Sequence, residues 1–315
     1  MYNETIIISQ IIQHLNIHQI TRLTLIFILF VAFIFEIIAI YIVLKFGHPK
    51  SSPYISNPLD YDINNYEEVS FKSRKDSLSL SGYFMKSLSS NKSIIICHGY
   101  GNNRFKAGEN VDQLKLSKLF LDYGYNVFIF DFRGHGEYAG KNGVTIGYNE
   151  QQDLLGAIDF IKSKNPYGEI GLVGFSMGAA TILSVLDKTK DISFAIADSP
   201  FSDLKEYLNS NMAFWTGLPN FPFSPLVLAN FKLIYGVDFN KVSPVISVAK
   251  TNVPILIIHS KKDKAIPYKE SVKIASNFKN QESKLVSFPG SPHIGSYKLY
   301  EKQYVNMLKE FLKNK

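Results

Sequence analysis

The chain has 315 residues, 46% of them hydrophobic and 14% aromatic, which is too apolar for a disordered chain and enough for one large α/β core with additions. The formal net charge is +7, but the lysines are scattered and no basic stripe interleaved with aromatics occurs, which argues against nucleic acid as a partner. The single cysteine, Cys97, excludes internal disulfides and reads as a small buried hydrophobe.

Residues 1–24 form an amphipathic-looking segment. Its His14 and His18 have i, i+4 spacing but no evident third ligand, so they read as surface residues, and no metal is expected. Residues 25–44 are almost wholly apolar, over roughly the 20 positions that span a bilayer as a helix. Glu36 is the one charge inside, a cost of about 2.5–3.5 kcal/mol that the surrounding Ile, Leu and Phe offset. The run is longer than a signal-peptide core and no A-x-A-like site follows it. The expectation is therefore an uncleaved, single-pass membrane anchor over residues 25–45, with a cleaved signal as the alternative. A basic surface beside it suits anionic lipid headgroups. Arg22 before the run and Lys45 and Lys50 after it leave the facing of the domain undetermined. Residues 46–65, rich in Ser, Pro and Asn, read as a linker.

From residue 66 onward the pattern predicts one α/β domain. Residues 69–72 and 78–85 alternate like strands around the polar turn at 74–77, an antiparallel opening hairpin. Residues 93–97 are a continuous apolar strand, as in a sheet covered on both faces, and run into His98-Gly99-Tyr100-Gly101. A helix is expected around 111–121, then a strand at 125–130 leading to Asp131-Phe132-Arg133-Gly134-His135-Gly136. That glycine spacing fits no dinucleotide fingerprint and no P-loop is present, so no organic cofactor is expected. Asp131 and Arg133 read as a structural pair buttressing the neighbouring loops, and His135 as a rim residue.

A helix at 154–161 and a strand at 170–173 precede Gly174-Phe175-Ser176-Met177-Gly178, and a helix-like segment at 179–186 follows. Strand, Gly-x-Ser-x-Gly and helix in succession form a nucleophile elbow, in which a sharp strained turn lifts the serine clear of the sheet. The motif alone would arise by chance in a chain of this length with a probability on the order of 0.1 at ordinary Gly and Ser frequencies. The Tyr100 and Met177 N–H groups are the candidate oxyanion donors. After a strand at 194–197 and Asp198, residues of about 201–251 break the rhythm. Met212, Phe214, Trp215, Phe221, Phe223 and Tyr235 among several prolines suggest a small helical cap with an apolar acyl- or aryl-binding wall. Ser243-Pro244 predicts an N-cap and first helical residue. The sheet resumes at 254–258, followed by Asp263; a last strand at 285–288 precedes His293. The order Ser176, Asp263, His293, each beyond a separate strand, matches an α/β-hydrolase triad, with Asp198 as the alternative acid.

The chain from roughly residue 66 resembles an α/β-hydrolase, most nearly the bacterial membrane-anchored members related to the serine aminopeptidase and monoacylglycerol-lipase-like group. The matching residues are His98-Gly99, Asp131-x-Arg133-Gly134-His135-Gly136, Gly174-x-Ser176-Met177-Gly178, Asp263 with Pro267, and His293. Two positions depart from the family pattern. Ser260 stands where a glycine usually follows the histidine, which would alter the acid loop, and Pro292 precedes His293, which would fix its approach. The resemblance implies a mainly parallel sheet flanked by helices and a carboxylic ester substrate, with lipid-derived acyl groups in view given the anchor. A peptidase or thioesterase on the same machinery, and a non-catalytic membrane-tethered binding domain, are the alternatives.

Overall fold

The computed structural model describes residues 17–315 apart from 51, 54–55, 89, 109, 139–141 and 314, and for Ile17 and His18 the backbone alone. His14 and the His18 side chain therefore lie outside the described residues. A long helix, α1 (Ile17–Gly47), leads into a hairpin of β1 (Tyr66–Lys72) and β2 (Ser79–Met85) and then β3 (Lys92–Cys97). A two-stranded ribbon, β4 (Lys106–Gly108) and β5 (Val111–Asp112), precedes α2 (Gln113–Asp122), β6 (Asn126–Phe130) and α3 (Glu150–Lys164). Next come β7 (Glu169–Phe175), α4 (Met177–Val185), β8 (Ile192–Asp198) and the cap helices α5 (Leu204–Thr216) and α6 (Asn220–Tyr235). The chain closes with α7 (Pro244–Val248), β9 (Ile255–Ser260), α8 (Lys269–Ala275), β10 (Lys284–Phe288), α9 (Ser296–Leu299) and α10 (Glu301–Leu312).

Eight strands form one sheet in the order β1-β2-β6-β3-β7-β8-β9-β10. Only β1–β2 and β2–β6 pair antiparallel; every other neighbouring pair is parallel. The central strands read as unbroken apolar runs because both faces are covered. Ile95, Cys97, Phe128, Phe130, Leu172 and Ile257 meet one core, and Ile94, Ile96, Val127, Ile129, Val173 and Ile258 the other. This is the expected α/β-hydrolase architecture, with the crossover helices packed on the sheet.

Local chemistry moves some boundaries. Val111 and Asp112, expected to open a helix, pair with β4 instead. The Asp112 carboxylate accepts from the Leu114 and Lys115 N–H groups, and that cap starts α2 at Gln113. Pro244 does open α7, but the Ser243 side chain makes no capping bond. The segment expected as a plain linker is bound to the domain. Gly47 C=O accepts from Val144 N–H (2.8 Å), Phe46 C=O from the Tyr100 hydroxyl (3.0 Å), and Gly101 C=O from Ser52 N–H (3.2 Å).

α1 has two unlike halves. Large apolar residues from Ile20 to Ile34 are exposed, whereas Ala39, Ile42 and Val43 are buried among Leu204, Leu208, Met212, Val227 and Phe231 of the cap.

The loop beyond β6 corrects one expectation. Asp131 and Arg133 do not pair with each other. Asp131 accepts from Arg104 (N–H 2.7 Å, Nε 3.0 Å), while Arg133 reaches Asp153 (2.6 Å) on α3 and Asp76 (2.8 Å) in the β1–β2 turn. Arg104 joins the loop after β3 to the loop after β6, and Arg133 joins the latter to α3 and to the β1–β2 turn. Arg104 and Asp131 are both fully buried. Replacing Asp131 by Ala strips that partner from a buried guanidinium and should cost about 3–5 kcal/mol. A thermal melt in detergent checks this, and an unchanged midpoint would refute the pair's structural weight.

Candidate active site

β7 ends at Phe175 and α4 begins at Met177, so Ser176 alone makes the turn, at φ 53° and ψ −115°. Such a backbone conformation costs a non-glycine residue about 1–3 kcal/mol and persists only where neighbours impose it. The flanking glycines permit it. A Cβ on Gly174 would lie 2.6 Å from the Gly178 oxygen, and one on Gly178 would lie 2.4 Å from the Cys97 oxygen. The Ser176 N–H donates to the Asp198 carbonyl (2.8 Å), which pins the turn to β8.

Three of the predicted residues meet beyond the carboxyl ends of the strands. His293 Nε2 is 2.8 Å from Ser176 Oγ, and His293 Nδ1 is 2.6 Å from Asp263 Oδ2. Asp263 Oδ1 accepts from the Ala265 (2.9 Å) and Ile266 (3.0 Å) N–H groups. Burial by itself would raise the Asp263 carboxyl, but hydrogen bonds from His259 and His293 outweigh it and hold the group well below the usual carboxylate range. Asp198, the alternative acid, is turned elsewhere. Its oxygens accept from Ser199 Oγ (2.8 Å) and the Tyr304 hydroxyl (2.9 Å), and burial raises it to about 6.

The donor side of the site is assembled by buried histidines. His98 Nε2 accepts from Phe132 N–H (3.1 Å), so its proton is on Nδ1, which donates to Gly99 C=O (2.7 Å). Burial lowers His98 to about 4, which keeps it neutral. It holds the loop carrying Tyr100 against the loop carrying Phe132. Gly99 packs against the nucleophile turn, where an added Cβ would be 3.4 Å from Ser176 Cβ. Met177 is the first residue of α4, so its N–H belongs to the unbonded first turn. No backbone acceptor takes the Tyr100 N–H among the described residues. His135, expected at the rim, is fully buried with its ring 4.9 Å from His98, so it is packing beneath the loop.

Beside Ser176 lies an apolar cavity whose walls include Phe46, Tyr100, Phe201, Leu208, Trp215 and Ile266. Of the six cap residues singled out from the sequence, only Trp215 lines it. Met212 is in the cap core, Phe223 packs on Phe35 of α1, Tyr235 contacts His48, and Phe214 and Phe221 are exposed. Among the described residues no three His, Cys, Asp or Glu side chains are grouped as a metal would require.

His259 and Phe46 escaped the sequence, whereas Ser260 and Pro292, which depart from the family pattern, act in the acid and histidine loops. His259 closes β9 as His98 closes β3, and that repeated pattern was the available signal. Its Nε2–H donates to Ile266 C=O (2.9 Å) and faces Asp263 Oδ2 at 3.3 Å, while Ser271 Oγ lies 2.6 Å from Nδ1. Ser260 links the acid loop to the histidine loop: its hydroxyl donates to Ser291 C=O (2.6 Å) and accepts from Ser291 N–H (3.0 Å). After Pro292 the chain turns through Ile294 at φ 45°, which aims His293 back at Ser176. Phe46 comes from the end of α1, which no local pattern ties to a pocket.

The two carboxylates have opposite pH signatures. Asp263 is held down by the fold, so its stabilisation is complete above the ordinary carboxyl value of about 3.9 and is lost as pH falls below it. Asp198 is raised to about 6, so its contribution is complete at low pH and is lost as pH rises through that value. Melting midpoints in detergent should show Asp263→Asn falling further behind wild type as pH rises from about 3 to 5. Asp198→Asn should gain on wild type as pH rises from about 4 to 7. Parallel pH profiles for all three proteins would contradict both assignments.

Residues 113–315 match the model of the prolyl oligopeptidase family. The Bacillus subtilis protein YqkD, itself uncharacterized, is 33% identical over 238 residues, 75% of each chain. The lysophosphatidylserine lipase ABHD12 of Mus musculus is 23% identical over 198 residues, 59% of this chain and 45% of that protein. The esterase Pf2001 of Pyrococcus furiosus superposes with a TM-score of 0.68 at 27% identity, covering 84% of this chain and 98% of that one. These matches bear on the superfamily and on the prolyl oligopeptidase family, and do not single out the narrower serine aminopeptidase and monoacylglycerol-lipase-like group. The fold, the family model and these relatives agree: the chain belongs to the prolyl oligopeptidase family of α/β-hydrolases and is an enzyme of the serine hydrolase class.

Proposed function

We propose that the chain is a membrane-anchored serine esterase that cleaves carboxylic esters with an apolar acyl group. The observation that carries the reading is Ser176 Oγ 2.8 Å from His293 Nε2 at the edge of a cavity whose lining residues carry no formal charge. Ser176 Oγ attacks the ester carbonyl carbon while His293 Nε2 takes its proton. Asp263 holds the imidazole tautomer and stabilises the imidazolium. The Tyr100 and Met177 N–H groups bind the oxyanion, each contributing about 3–4 kcal/mol by analogy with comparable sites. His293 then returns the proton to the departing alcohol, and water attacks the acyl-enzyme with the same histidine as base, releasing acid and free Ser176.

Peptide bond cleavage by the same groups is the second reading, and the family model favours it. Parallel assays on p-nitrophenyl butyrate and on aminoacyl p-nitroanilides separate the two. Ser176→Ala and His293→Ala should each abolish fluorophosphonate labelling and ester turnover. Asp263→Asn should lower kcat by roughly 10⁴, the cost of a wrong tautomer in other triads, whereas Asp198→Asn should stay within a few-fold of wild type. Full labelling of the Ser176→Ala protein would end the proposal.

The anchor is supported by packing as well as by length. Residues Gln19–Gly47 include a window of mean hydropathy 3.0. Removing the helix as a cleaved signal would take Ala39, Ile42 and Val43 out of the cap core and Phe46 out of the cavity wall. Alkaline carbonate should therefore leave the full-length protein in the membrane pellet; release into the supernatant would rule out a spanning helix.

A further inference from the structure

The cap is chemically lopsided. From residue 207 to residue 231 it contains no Asp, Glu, Lys, Arg or His, a run that includes most of α5 and α6 and the turn between them. Its charges are gathered at the base, Lys205 and Glu206 at the start of α5 and Lys232 near the end of α6. The tip instead exposes Phe214, Trp215 and Phe221, the last 81% accessible, and along α6 Pro225, Ala229 and Leu233 continue an exposed apolar stripe at i+4 spacing. A water-facing helical hairpin carries charge on its outer face. This one does not.

The register against α1 says where the tip is. Phe223 packs edge-on against Phe35 at 5.4 Å, Asn230 Nδ2 donates to Glu36 Oε1 at 2.8 Å, and Tyr235 reaches His48. α6 therefore crosses α1, with Phe223 near the tip of the hairpin against Phe35 and Tyr235 at its base against His48. Phe35 precedes Lys45 by ten residues, about 15 Å of helix, which is half the hydrocarbon thickness. The apolar interval between Arg22 and Lys45 has to include the Phe35 level to span the bilayer at all, since residues 23–34 alone give only about 18 Å.

Four polar side chains of the hairpin are bonded within it or to α1, which lowers the cost of placing them in lipid. Asn211, Thr216 and Asn220 donate to the carbonyls of Tyr207, Met212 and Ser210, and Asn230 donates to Leu226 C=O as well as to Glu36. The one carboxylate within the apolar run thus meets an amide of the cap.

From these observations we infer that the α5–α6 hairpin is inserted in the same leaflet as the end of α1, and that the bilayer is the partner of its apolar face. The inference rests on the reading of α1 as a membrane anchor. It also defines the substrate. Trp215 belongs both to the exposed face and to the cavity wall beside Ser176, so an acyl ester dissolved in the leaflet reaches the nucleophile past Trp215 without crossing water.

Trp215 is the only tryptophan in the chain, so its emission reports on the cap without a label. The full-length protein is reconstituted in phosphatidylcholine vesicles, with and without lipid brominated midway along the acyl chains, and titrated separately with aqueous iodide. Because Trp215 is 41% accessible, it faces either lipid or water. The inference expects bromolipid to remove most of the emission and iodide to leave it nearly unchanged. Iodide quenching without bromolipid quenching, in protein that stays in the pellet through carbonate, overturns the insertion and leaves the anchor intact. Release by carbonate overturns the anchor and the insertion together. Fluorophosphonate labelling, read on the same samples, tests the esterase chemistry independently of both. A Phe221→Glu/Leu233→Glu variant, altered only at exposed positions outside the cavity, should lose bromolipid quenching several-fold. It should also lose turnover of a vesicle-borne long-chain monoacyl ester several-fold, while p-nitrophenyl butyrate turnover is kept. Full bromolipid quenching and full vesicle turnover in that variant would refute the role of this face.

Discussion

Ser176 holds a backbone conformation that an L-residue reaches only under constraint, and much of the domain can be understood as what imposes it. The constraint acts from three sides. β8 holds the Ser176 N–H, α4 starts immediately and fixes the next residues, and Gly178 lies against the carbonyls that end β3. The turn stands at the end of β7 beside β8, in the interior of the sheet, so loosening it would disturb packing on both faces. Strain of a few kcal/mol persists in this place because closely packed neighbours from distant segments fix the turn from three sides.

The loops that converge on that turn are held to one another by buried polar links rather than by contact with the sheet alone. His98 joins the β3 loop to the β6 loop, Arg104 and Asp131 do the same from another side, and Arg133 ties the β6 loop to α3 and to the opening hairpin. Ser260 joins the acid loop to the histidine loop, and His259 backs the acid itself. Each link is expensive to leave half-made in a low-dielectric interior, so the loops move together or not at all. Side chains from three separate loops can thereby be held within hydrogen-bond distance, as the reacting groups of a serine hydrolase have to be.

The amino-terminal helix changes the character of the enzyme. Its last three turns are core to the cap, its Phe46 is a wall of the cavity, and its Gly47 carbonyl is bonded into the β6–α3 loop. A flexible tether would localise the domain and leave its orientation free. As the proposed anchor, a helix packed in this way would set the angle and depth of the catalytic domain relative to the bilayer.

What the sequence determined by itself follows from local causes. Apolar runs of strand length, glycines at Gly174 and Gly178, and the chain order Ser176, Asp263, His293 are written in consecutive residues. They were enough to indicate the sheet, the elbow and the candidate acid and base. Residues 25–44 announced the apolar helix by length alone. Tertiary structure decided what depends on meetings between distant segments. Asp131 and Arg133 stand two residues apart in one loop, yet they pair with Arg104 and with Asp153, because those partners are brought up by distant segments of the chain. His135 lies in a polar loop and is nonetheless buried, because that loop folds under the His98 turn. The cap aromatics share one composition but four different environments, and only the packing of α6 on α1 sorted them. Burial and pairing are properties of surfaces brought together by the fold, and neither is encoded at a single position.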